Sequence, residues 1–130
     1  MVGCSDNQPY VYIVDDDDAV RDSVGLIFET AGFKCQTFES AERFLESYCP
    51  GSHGCLLLDV NLPGMNGFEL QKELIRRNIH LPVIFHSTSN DLTTMNRAIK
   101  AGAADFLTKP VPSKLMIKRV QAVLHQKGTG

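Results

Sequence analysis

The sequence predicts a doubly wound α/β fold, a parallel sheet of five strands with helices on both faces. Three observations predict it. Apolar runs of four or five residues alternate with stretches of helical period, five times within 130 residues. The segments between the runs have the length of helical crossovers, which makes the strands parallel and the crossovers right-handed. The run CLLLD (55–59) has no apolar–polar alternation, as expected of a strand buried on both faces. The length suits one domain, read here as 9–126, with loose ends at 1–8 and 127–130.

Each element has a local reason. YVYIV (10–14) reads as a buried strand. Val20, Val24, Ile27, Phe28 and Ala31 then recur on one helical face, and Gly32 is a left-handed stop. KCQTF (34–38) is the second strand, and Ser40 caps a short helix carrying Phe44 and Leu45. After the third strand, NLPGMNG (61–67) is a loop by its Pro and Gly content. A helix over 68–77 follows, with Phe68, Leu70, Leu74 and Ile75 as its apolar positions. VIFHS (83–87) is the fourth strand; Leu92, Met95, Ala98 and Ile99 mark the next helix, closed by Gly102. DFLT (105–108) is a short fifth strand. Ser113 caps a last helix whose apolar face is Met116, Ile117, Val120, Val123 and Leu124.

Composition narrows the function classes. A net charge of -2 does not favour nucleic acid or an anionic membrane as the main partner. No run approaches the length of a membrane span and no apolar signal segment opens the chain, so the expected compartment is the cytoplasm. The four cysteines form no C-x-x-C pair, and Cys35 and Cys55, set in apolar runs, read as reduced core thiols. The 106–130 stretch has no acid but holds Lys109, Lys114, Lys118, Arg119 and Lys127. It reads as a solvated face or half of a charged interface, and DNA binding is not expected of this chain itself.

The chemistry collects where the strands end. The first ends in Asp15 and Asp16, the third in Asp59, the fourth in Ser87 and the fifth in Lys109. In a doubly wound sheet those ends form one rim, where ligands bind. Three carboxylates at close range need a cation, and oxygen ligands alone suit a hard ion such as Mg²⁺. Asp17 and Asp18 have a plainer task, capping the first helix and complementing its dipole. A carboxylate in such a site can attack phosphorus, with Lys109 and Ser87 placed to stabilise phosphoryl oxygens.

Together VDDD (14–17), LLLDVNLPGMNGFEL (56–70), LPVIFHS (81–87) and AGAADFLTKP (101–110) resemble the receiver domain of two-component response regulators over residues 10–125. The nearest look is to receivers of the nitrogen-fixation regulator type, which precede a helix-turn-helix domain. The resemblance implies a flavodoxin-like (βα)5 fold with strand order 2-1-3-4-5. It implies that Asp59 accepts a phosphoryl group from a sensor histidine kinase, and that the chain is no enzyme beyond catalysing its own phosphorylation and dephosphorylation. Asp16 would ligate Mg²⁺ directly, Asp15 through water, and Asn61 through its backbone carbonyl. Ser87 would be the switch hydroxyl, Phe106 the switch aromatic, and Lys109 the phosphoryl-binding lysine, with a cis bond to Pro110. The face made by the fourth helix, fifth strand and fifth helix would form a homodimer or hold an output domain. The implied whole is a transcriptional regulator.

Two positions depart from that pattern. Thr88 stands where a smaller residue is usual, and His86 where an aliphatic one is; the plain reading of His86 is a half-buried structural histidine. Two rivals are weaker. A haloacid-dehalogenase-like phosphatase would need an acidic pair after the lysine, and no acid follows Asp105. A flavin module would need a hydroxyl- and glycine-rich phosphate loop where the four aspartates stand.

Overall fold

The computed structural model of the protein describes residues 8–129, and side chains through His125. Its elements run β1 (Tyr10–Val14), α1 (Asp18–Thr30), β2 (Lys34–Phe38), α2 (Ala41–Ser47), β3 (Gly54–Leu58), α3 (Gly67–Arg76), β4 (Val83–Ser87), α4 (Leu92–Lys100), β5 (Asp105–Thr108) and α5 (Ser113–Thr129). All strands are parallel, in the order β2-β1-β3-β4-β5. Most of the loose ends expected at 1–8 and 127–130 falls on residues or side chains outside those described.

The two-residue period of the strands sorts the core into two layers. Val11, Ile13, Cys55, Leu57, Ile84 and Leu107 face α1 and α5, meeting Val24, Phe28, Met116 and Val120. Tyr12, Val14, Leu56, Leu58, Phe85 and Phe106 face α2, α3 and α4, meeting Phe44, Phe68, Leu70, Leu74 and Ala98. Strand β3 is buried at every position, which is why it lacks alternation, whereas the edge strand β2 is largely exposed. Cys35 and Cys55 are free thiols, Cys55 fully buried, with burial pushing its pKa up to about 12. Cys49 is disulfide-bonded.

Several boundaries shift by a residue. Strand β3 starts at Gly54 and ends at Leu58, leaving Asp59 just beyond the ladder. Helix α3 begins at Gly67, because Asn66 and Glu69 close a reciprocal capping box before it. Gly67 is needed there: a β-carbon on it would lie 2.4 Å from the Asp59 carbonyl oxygen. Gly32 and Gly102 stop α1 and α4 with φ of 92° and 100°. For α5, the Pro112 carbonyl accepts from Met116 N–H, so Ser113 lies inside the first turn and not at the cap. In α4 only Ala98 is buried; Leu92 and Ile99, expected on a core face, are 74% and 53% exposed.

Candidate functional site

Sheet register builds the site. Val14 pairs with Leu58 across β1 and β3, so Asp15 and Asp59 leave the sheet side by side, and Asp59 N–H donates to the Val14 carbonyl at 3.1 Å. Ser87 pairs with Thr108 across β4 and β5, and Lys109 N–H donates to the Ser87 carbonyl at 2.8 Å. The lysine is thus delivered to the same rim as the carboxylates. The Lys109–Pro110 bond is cis.

Lys109 Nζ donates to Asp15 Oδ2 at 2.7 Å and to Asp59 Oδ2 at 3.3 Å. Asp15 and Asp59 are buried, while Asp16 is exposed. One carboxylate oxygen from each lies within 4.8 Å of the other two. The second oxygen of Asp15 accepts from Asp17 N–H and that of Asp59 from Asn61 N–H, each turning its carboxylate back onto its own loop. Burial raises the Asp59 pKa, and Asp15 adds to the rise; the Asn61 N–H and Lys109 oppose it without cancelling it. The Lys109 pKa is drawn down by burial, but the bond to Asp15 and the charge of Asp59 outweigh this and leave it raised. One ammonium therefore faces three carboxylates. The surplus negative charge and the oxygen-only donor set fit Mg²⁺, with Asp15, Asp16 and Asp59 able to hold it.

Ser87 is fully buried, and its Oγ accepts from Ser89 N–H at 3.3 Å. Phe106 is packed inward, its ring 5.9 Å from that of Phe85. Thr88 is exposed. His86 is buried behind the site; burial first, then the Lys109 charge, push its pKa down to about 4. Asp17 is the cap of α1, accepting from Ala19 and Val20 N–H, whereas Asp18 sits in the first turn and pairs with Arg21. Arg119, part of the basic last stretch, pairs with Asp105 at 2.5 Å.

Three supports were not anticipated from sequence. Arg21 donates to the Asp15 carbonyl at 2.7 Å, fixing the acidic turn. Glu42 accepts from Met65 N–H at 2.9 Å and braces the loop after β3. Asn61 Nδ2 donates to Ser89 Oγ at 3.2 Å, joining the loops after β3 and β4. Only the first has a local signal, an arginine one turn into the helix that follows the aspartates; the others join residues 23 and 28 positions apart.

The response regulator receiver domain family matches residues 11–121, and the chain belongs to that family. It is 41% identical over 114 residues to the transcriptional regulatory protein FixJ of Azorhizobium caulinodans, covering 88% of this chain and 54% of that one. It is likewise 41% identical over 116 residues to nodulation protein W of Bradyrhizobium diazoefficiens, covering 89% of this chain and 51% of the relative. The chain thus spans about half the length of the curated relatives it matches. Among solved structures, FixJ-N superposes with a TM-score of 0.83 at 32% identity, over 92% of this chain and 96% of that one. The chain is therefore a receiver domain of the two-component response-regulator class, with the flavodoxin-like fold. Response regulators receive phosphoryl groups from histidine kinases, and receivers bind Mg²⁺ at an acidic pocket of this kind.

Proposed function

We propose that Asp59 accepts the phosphoryl group from a sensor histidine kinase, and that this chain is the receiver part of a cytoplasmic transcriptional regulator. The observation that carries the assignment is the shared contact of Lys109 with Asp59 and Asp15 at the rim where β1, β3 and β5 end. An Asp59 oxygen forms a bond to phosphorus as the bond from phosphorus to the kinase imidazole nitrogen breaks, and the imidazole takes up a proton. Asp15, Asp16, Asp59 and the Asn61 carbonyl would hold Mg²⁺, which would supply positive charge against the phosphoryl oxygens. Lys109 supplies a second positive charge, exchanging part of its contact with Asp59 for a phosphoryl oxygen. Ser87 turns its hydroxyl from Ser89 N–H toward another phosphoryl oxygen, and Phe106 follows the movement of the loop after β4. The chain catalyses its own phosphorylation and dephosphorylation but transforms no further substrate. Acetyl phosphate with Mg²⁺ should add one phosphoryl group, read by intact mass. Asp59→Asn should abolish the addition; mapping of the phosphate to another aspartate would overturn the assignment.

A further inference from the structure

Helices α3 and α4 enclose a groove of about 520 Å³, lined by Phe68, Lys72, Asn96, Arg97 and Lys100 among others. It lies apart from the aspartate rim. Lys72, Arg97 and Lys100 all project into it, and none of its lining residues is acidic. Among the described residues none of these three cations is ion-paired; Arg97 instead lies over the Phe68 ring at 4.1 Å. Three positive charges, none of them ion-paired, in one concavity on a chain of net charge -2 raise the local concentration of anions there.

We propose that this groove docks a short acidic segment of a partner protein, its carboxylates meeting Lys72, Arg97 and Lys100. Charge complementarity favours a short segment over a nucleic-acid backbone. Glu69 stands on α3 one turn before Lys72, and its charge interrupts a polyanion running along the helix, while Glu73 is held by Arg76 and Arg77. An arginine stacked on an aromatic ring is also preset to receive a carboxylate, because its planar donors stay free at the edge.

The groove is wired to the aspartate site. The Phe68 ring lies 5.2 Å from that of Phe85, which lies 5.9 Å from that of Phe106. A carboxylate that holds Arg97 over Phe68 stiffens one end of this stack, and a movement of Phe106 disturbs the other. This second half rests on the proposed role of Phe106. Coupling of this kind is reciprocal, so phosphorylation and peptide docking change each other's affinity by the same factor.

The test uses a fluorescein-labelled peptide rich in Asp and Glu, its Gln/Asn counterpart, and a single-stranded oligonucleotide, each titrated by anisotropy against the chain. The acidic peptide should bind, weaken as salt rises, and shift backbone NMR signals of α3 and α4. The double reversal Lys72→Glu with Lys100→Glu should weaken it at least tenfold, while its circular dichroism and its phosphorylation by acetyl phosphate stay as in the wild type. Unchanged binding in that variant, shifts confined to the Lys114–Lys118 face, or tighter binding of the oligonucleotide would overturn the docking site. So would a doubling of mass that the reversal abolishes, since the groove would then belong to a second copy. Beryllofluoride with Mg²⁺ should change peptide affinity severalfold in the wild type and not in Phe68→Leu. If beryllofluoride shifts other signals but leaves peptide affinity alone, the coupling fails. If it shifts no signal anywhere, the Asp59 reading fails while the docking site stands.

Discussion

Lys109 is the residue on which the site turns, because it is one charge set against three. Burial does most to raise the pKa of Asp59 and the nearby Asp15 charge adds to it, so the native state disfavours its charge. Asp59→Asn should therefore stabilise the metal-free protein by about 1 kcal/mol, seen as a higher urea midpoint near neutral pH. Mg²⁺ should narrow that gap, since it stabilises only a folded state that binds it. A lower midpoint for Asp59→Asn would mean that its bonds to Lys109 and Asn61 outweigh the cost of burying its charge. His86 makes the opposite kind of demand. Its pKa falls from 6.5 to about 4 on folding, so between those values the unfolded chain binds a proton that the folded chain does not. Stability is fully present above the unfolded value and is lost as pH falls through that window, by about 1–3 kcal/mol. His86→Leu should flatten the dependence of the urea midpoint on pH between about 7 and about 5. A slope as steep as that of the wild type would move its origin to the carboxylates.

At the scale of elements, capping separates two neighbouring aspartates that look alike in sequence. Asp17 satisfies two N–H groups at the start of α1, whereas Asp18 makes only an exposed ion pair with Arg21. Asp17→Ala should cost about 0.5–2 kcal/mol, and Asp18→Ala clearly less, in thermal unfolding followed by circular dichroism. Equal losses would show that the helix dipole, and not the cap, sets the cost. Helix α4 is the element whose sequence misleads. Leu92 and Ile99 keep helical spacing with Ala98 and Met95, which is the pattern of a core face, yet the helix buries only Ala98. Periodicity identifies a helix and an apolar stripe; it does not say what covers the stripe.

At the scale of the molecule, that uncovered stripe becomes informative. Leu92, Ile99 and Leu115 are exposed large apolar residues on α4 and α5, on either side of β5. Beside them, the Asp105–Arg119 pair ties β5 to α5. We expect beryllofluoride with Mg²⁺ to raise the dimer fraction through this face in analytical ultracentrifugation. Ser87→Ala should still accept the phosphoryl group but blunt the rise, because the hydroxyl proposed to pull on the loop before α4 is gone. A full dimer response in that variant would remove Ser87 from the switch and leave Asp59 untouched.

The sequence by itself determined the elements and their parallel pairing, because apolar runs, caps and glycine stops act over a few residues. It also put Asp15, Asp16, Asp59, Ser87 and Lys109 at or just past the strand ends, where the structure has them. The sheet order came from the family resemblance and is the order observed. Only the tertiary structure decided the rest. The level of Val14 against Leu58 and of Ser87 against Thr108 sets how near the carboxylates and lysine approach. The Glu42 brace and the Asn61–Ser89 bond join distant segments. The convergence of Lys72, Arg97 and Lys100 depends on how α3 lies against α4. Contacts of that range arise from packing two layers onto one sheet, and no local pattern of residues encodes them.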